Sequence, residues 1–126
     1  MEKFTVLLVD DEEEFSSALA ERLLLRGISA STSRDGVEAL EMIDAHPPGV
    51  VILDKLMPGL SGRELLARIR AKHPEIAVIM LTGHDAPENH DEPELASFAY
   101  LVKPVNIDTL VQLIQSAMEK RPRERP

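Results

Sequence analysis

Two rhythms of apolar and polar positions alternate along this chain. Five short runs read as strands: Phe4–Val9, Ile28–Ser33, Val50–Leu53, Ile76–Leu81 and Phe98–Val102. The first, third and fourth are almost unbroken in Val, Ile and Leu, the pattern of strands covered on both faces of a parallel sheet. Ile28–Ser33 instead alternates through Ile28, Ala30 and Thr32, which suits a half-covered edge strand.

Between these runs the apolar spacing turns helical. Phe15, Ala18, Leu19 and Leu23 share one face, and Gly27 is a natural stop after them. A shorter stripe of Val37, Leu40 and Ile43 ends at His46-Pro47-Pro48. Ser61-Gly62-Arg63-Glu64 has the form of a capping box and opens a helix carrying Leu65, Leu66 and Ile69. Asn106 can cap a last helix with Leu110, Ile114, Ala117 and Met118. The segment His84–Ala96 has two prolines and five acidic residues with almost no apolar stripe, so a fourth helix there is expected to be short or mobile. Strand–helix alternation of this kind predicts an α/β fold, a doubly wound five-stranded parallel sheet with helices on both faces.

Composition narrows the picture further. The 126 residues suit one domain, expected over residues 1–120, with 121–126 as a charged Pro-rich tail or linker. A formal charge of −8 disfavours a non-specific grip on nucleic acid or an anionic membrane. The absence of cysteine excludes disulfides, thiolate metal sites and a cysteine nucleophile. Glu2, Lys3, Asp10 and Asp11 interrupt the early apolar run, and no stretch approaches the roughly 20 apolar residues of a membrane span. A cytoplasmic location is the expectation.

In an open α/β sheet, ligands bind beyond the carboxyl ends of the strands. Taken in order, those ends carry Asp10-Asp11, Ser33-Arg34, Asp54, Thr82 and Lys103. Each has an ordinary explanation alone: an acidic pair as a turn or cap, a threonine satisfying a local turn, a Lys-Pro pair in a loop. At successive strand ends of one short domain they point together to phosphoryl chemistry. Three carboxylates brought close repel one another unless a hard divalent cation joins them. Mg²⁺ prefers such oxygen ligands and a phosphate oxygen. Asp54 is the candidate nucleophile, because a carboxylate can form an acyl phosphate. The Lys103 ammonium and the Thr82 hydroxyl would each face an oxygen of the transferred group.

These residues also carry a family resemblance. Val6-Leu7-Leu8-Val9-Asp10-Asp11-Glu12, then Val51-Ile52-Leu53-Asp54-Lys55-Leu56-Met57-Pro58-Gly59-Leu60-Ser61-Gly62, Leu81-Thr82-Gly83 and Tyr100-Leu101-Val102-Lys103-Pro104 resemble the receiver domains of response regulators over roughly residues 3–120. That resemblance implies a flavodoxin-like strand order 2-1-3-4-5. It implies phosphorylation of Asp54 by a sensor histidine kinase or phosphotransfer protein. Mg²⁺ would be held by Asp11, Asp54 and the Leu56 backbone carbonyl, with Asp10 acting mainly through water. Thr82 and Lys103 would contact the phosphoryl group, Gly83 would leave room for it, and the bond before Pro104 would be cis. Tyr100 stands where receivers carry the switch aromatic.

Two departures from the family pattern bear on output and lifetime. Ala96-Ser97-Phe98-Ala99 replaces the usual Gly-Ala turn before the last strand. Leu56 and His84 occupy the positions that tune phosphate lifetime, and an apolar Leu56 implies slow self-dephosphorylation. The implied partners are a kinase and either a downstream protein or a fused effector domain. A phosphorylation-linked homodimer is a further option.

Other readings fit less well. A dehalogenase-type phosphatase carries a second acid two residues past its nucleophile, where this chain has Leu56. A flavin module needs phosphate contacts in the first strand–helix turn, which here is Asp10-Asp11-Glu12-Glu13-Glu14. Neither G-x-x-x-x-G-K-[ST] nor G-x-G-x-x-G occurs. The remaining alternative is a phosphorylation-independent interaction module on the receiver fold. The intact acidic pair, Asp54, Thr82 and Lys103 argue against it.

Overall fold

The computed structural model describes residues 5–54, 62–82 and 99–120. The strands are β1 (Thr5–Val9), β2 (Ser29–Ser33), β3 (Val50–Asp54), β4 (Ala77–Thr82) and β5 (Ala99–Val102). The helices are α1 (Glu13–Leu25), α2 (Gly36–Ala45), α3 (Gly62–Lys72) and α4 (Ile107–Lys120). All strand pairs are parallel, in the order β2-β1-β3-β4-β5. The expected flavodoxin-like order is therefore present, with β2 on an edge.

Alternate residues of the central strands feed two cores, one on each face. Val6, Leu8, Val50, Ile52, Ile79 and Leu81 pack with Leu19 and Leu23 of α1 and Leu110 and Ile114 of α4. Leu7, Val9, Val51, Leu53, Val78 and Met80 pack with Ile43 of α2 and Leu65, Leu66 and Ile69 of α3. Two covered faces explain why these strands carry no polar alternation. Burying each such Leu or Ile stabilises by about 1.5–3 kcal/mol.

Helix boundaries follow local chemistry. Gly27, with φ +83°, ends α1: its N–H donates to Leu24 O, and the Ile28 N–H reaches back to Leu23 O. A left-handed residue closing a helix in this way favours glycine. Asp35 caps α2 by accepting from the Glu38 N–H at 2.8 Å. Asn106 does the same for α4 through the Thr109 N–H at 3.0 Å. Arg26 and Asp108 then tie the end of α1 to the start of α4 with a 2.6 Å ion pair.

Three positions differ from the sequence pattern. Ala18 is exposed, and the buried stripe of α1 runs instead through Ser16, Leu19 and Leu23. Ser16 tolerates burial because its hydroxyl donates to Glu12 O at 2.9 Å. Val37 is 61% exposed, since α2 turns Gly36, Ala39 and Ile43 inward. In β2 the alternation stops before Thr32, which is exposed, while Ser33 is buried. The Ser33 hydroxyl turns toward α2, contacting Asp35 O and Glu38 Oε1. Phe4, Ser61, Phe98, the expected fourth-helix segment His84–Ala96 and the tail from 121 lie outside the described residues.

Candidate functional site

Because every strand runs the same way, their carboxyl ends form one rim. β1 and β3 are neighbours in the sheet, and the chain winds outward from them in opposite directions. Such a switch point opens a crevice, since the connections on either side lead away from it. Asp10 and Asp11 follow β1, and Asp54 is the last residue of β3. One carboxylate oxygen from each of the three lies within 4.8 Å of the other two.

The three acids have different settings. Asp10 is 2% exposed and Asp54 is 8% exposed, whereas Asp11 faces solvent. Asp10 Oδ1 accepts the Glu12 N–H at 2.9 Å, which folds the turn into α1 and leaves Oδ2 for the crevice. The Asp10 N–H donates to Ser33 O at 3.0 Å, so the sheet pairing continues one residue past β1.

Lys103 enters from just beyond β5. Its Nζ lies 3.2 Å from Asp10 Oδ2, 3.4 Å from Glu12 Oε1 and 3.5 Å from Asp54 Oδ2. Burial opposes the charge on this ammonium, but the bond to Asp10 and the fields of Asp10, Asp54 and Glu12 outweigh it. They hold Lys103 above the ordinary lysine range. The Lys103 N–H donates to Thr82 O at 2.9 Å, and the Lys103–Pro104 bond is cis.

Thr82 ends β4, is 2% exposed, and stands beside Val102 in the register. Its hydroxyl donates to Leu101 O at 3.5 Å, a long contact for this bond type. Tyr100 is half-buried and packs against the core on the α2–α3 face. Leu56, Gly83 and His84 lie outside the described residues. Asp10, Asp11, Asp54 and Lys103 are thus brought together, with Thr82 at the next strand end.

Two participants were not singled out from the sequence. Glu12 adds a third carboxylate to the Lys103 contacts, and Phe15 places its ring 4.5 Å from Nζ. The signal for Glu12 was its place beside the acidic pair. Phe15 had none beyond the helix stripe that also explains it.

The donor set fits a hard divalent cation. Among the described residues, four acids, Asp10, Asp11, Glu12 and Asp54, gather at the rim with one lysine, Lys103, and so outnumber the positive charge beside them. Among the described residues the gathered ligand atoms are carboxylate oxygens, as Mg²⁺ prefers.

Fold and rim together define a flavodoxin-like α/β domain with an acidic crevice at its switch point. The sequence profile of the response regulator receiver domain matches residues 6–115, and the chain belongs to that family. It is 35% identical over 118 residues to the C4-dicarboxylate transport transcriptional regulatory protein DctD of Rhizobium meliloti, covering 93% of this chain and 26% of that protein. It is 34% identical over 119 residues to the DNA-binding transcriptional regulator NtrC of Escherichia coli, covering 94% of this chain and 25% of that protein. The chain therefore spans about a quarter of the length of these relatives. A response regulator receiver domain protein from Clostridium thermocellum matches with a TM-score of 0.86 at 32% identity, covering 93% of this chain and 95% of that one. The receiver domain of NtrX from Brucella abortus gives 0.85 at 31%, covering 91% and 98%. Receiver domains of this family are signalling domains of two-component systems. Among the described residues, no helix is long and apolar enough to cross a membrane.

Proposed function

We propose that residues 1–120 form a phosphoacceptor receiver, with Asp54 taking a phosphoryl group from a sensor histidine kinase or phosphotransfer protein. The observation that carries this reading is the meeting of Asp10, Asp11 and Asp54 with the Lys103 ammonium at the switch point. An Asp54 oxygen attacks phosphorus, the bond from phosphorus to the donor nitrogen breaks, and the imidazole leaves. Asp10, Asp11 and Asp54 would hold Mg²⁺, together with the Leu56 carbonyl that the family resemblance implies. When bound, this ion supplies charge neutralisation for the phosphoryl oxygens.

Lys103 already stands beside Asp54 and neutralises a second oxygen without a large rearrangement. The Thr82 hydroxyl gives up its long bond to Leu101 O for a strong anionic acceptor. Its displacement opens room near β5, and Tyr100 turns further inward. The face around β5 and α4 then meets partners with altered affinity, as a population shift. The downstream element is a separate protein or an effector domain fused beyond 121–126, as the greater length of the relatives suggests. A phosphorylation-linked homodimer through this face fits the same scheme. Binding is to protein rather than directly to nucleic acid or membrane, in the cytoplasm. Self-dephosphorylation is slow because Leu56 cannot orient a water, and Leu56→Asn should speed it; His84 is the second tuning position.

The test is intact-protein mass after incubation with acetyl phosphate, with and without Mg²⁺. A Mg²⁺-dependent gain of one phosphoryl group that Asp54→Ala lacks supports the reading. No gain on folded protein leaves a phosphorylation-independent interaction module.

A further inference from the structure

Lys103 is held from four sides. Its ammonium has three N–H donors, and the carboxylates of Asp10, Glu12 and Asp54 occupy those directions. At 3.2, 3.4 and 3.5 Å these contacts are longer than a strong charge-assisted bond, which is about 2.7–2.9 Å. No single carboxylate therefore localises Nζ. The fourth contact is the ring of Phe15 on α1, with Nζ 4.5 Å from its centroid.

We propose that Phe15 is a positioning residue for phosphoryl transfer, its π face fixing the Lys103 ammonium beside Asp54. The proposal rests on the reading of Asp54 as phosphoacceptor. Phe15 is partly buried and packed against the core shared by α1 and α4, so the ring is anchored while its face meets the cation. The electron-rich face attracts an ammonium within about 6 Å and keeps water from that side. An aliphatic side chain would exclude water without attracting the charge. Another carboxylate would attract it, but the rim already holds Asp10, Asp11, Glu12 and Asp54, and a further anion would repel the phosphoryl donor. An aromatic ring supplies attraction without net charge.

The position of Phe15 in sequence suits the task. It lies four residues past Asp11, in the first turn of α1, so the turn that presents the acidic pair also sets the ring. Lys103 comes from the far end of the chain, and the ring gives it a fixed stop on arrival.

The experiment uses the whole chain with Phe15 replaced by Tyr, by Leu and by mono-, di- and trifluorophenylalanine. Each is also made with Lys103→Met. The rate of phosphorylation by acetyl phosphate at saturating Mg²⁺ is read by intact mass, with thermal unfolding as a control on folding. Fluorination drains the ring face at nearly constant shape, so it separates attraction from packing even if Phe15→Leu folds poorly. The rate should fall stepwise with fluorination and by about threefold to tenfold in Phe15→Leu, while Tyr stays within about twofold of native. With Lys103→Met, ring changes should no longer alter the rate. A rate indifferent to fluorination, or an equal loss in both backgrounds, would overturn the proposal. A native chain that takes no phosphoryl group at all would instead overturn the reading of Asp54.

Discussion

At the joint between α2 and α3, a lysine and a histidine share one carboxylate; at the rim, three carboxylates share one lysine. Asp44 Oδ2 accepts from Lys72 Nζ at 3.0 Å, and Asp44 Oδ1 lies 2.9 Å from His73 Nε2. The bond to His73, then that to Lys72, holds the Asp44 carboxyl below its ordinary range. Lys72 and Asp44 are open to water, which screens their pair and leaves its value to the fold small. At the rim Asp10 and Asp54 are buried instead, and among the described residues only Lys103 faces them with a positive charge. The chemistry is similar and the difference lies in burial and balance. A screened, locally matched cluster joins two helices; a partly buried, anionic one would, on the proposed function, serve a cation and a phosphoryl group at some cost in stability.

Three perturbations would break or sharpen that contrast. Lys103→Met has the largest expected effect, because Asp10 and Asp54 would keep their burial and lose their shared cation. The loss of unfolding free energy in Mg²⁺-free urea titrations should be about 1–3 kcal/mol, with added Mg²⁺ restoring most of it. Next comes Asp11→Asn, which removes one repelling charge. Its urea midpoint without Mg²⁺ should rise by the equivalent of roughly 1 kcal/mol, and stabilisation by Mg²⁺ should vanish. A fall in both would mean that the rim is a structural ion cluster after all.

Asp44→Asn should have the smallest effect, and its sign with pH is set. The folded carboxyl is held below its unfolded value, so its contribution is complete above that value and is lost as pH falls through the lowered one. The difference between native and variant midpoints should therefore close on acidification through that window. A difference that grew on acidification would contradict this account of the joint.

The rim was legible because its groups sit at fixed offsets from strands. Continuous apolar runs located β1, β3 and β4, and parallel winding forces the residues that follow them onto one edge. What escaped had no such local mark. Lys103 meets Glu12 across 91 positions of sequence and stands over Phe15, contacts that depend on how β5 is laid against α1. Ala18 and Val37 were misplaced because a helix stripe read from apolar letters goes astray when a small or polar residue takes the buried place. Ser16 and Gly36 do so here, the serine with its hydroxyl satisfied inside the helix and the glycine beneath a bonded cap. Thr32 and Ser33 show the same ambiguity at a strand end, decided by the bonds of Ser33 to the start of α2.

The measurement that tests the central claim most directly is the location of the phosphoryl group. Protein treated with acetyl phosphate and Mg²⁺ is reduced with borohydride, which converts an aspartyl phosphate into homoserine, and then sequenced by tandem mass spectrometry. The account predicts homoserine at position 54 alone, and none when Mg²⁺ is withheld. Homoserine at position 10 or 11, or a Mg²⁺-independent label elsewhere, would contradict it.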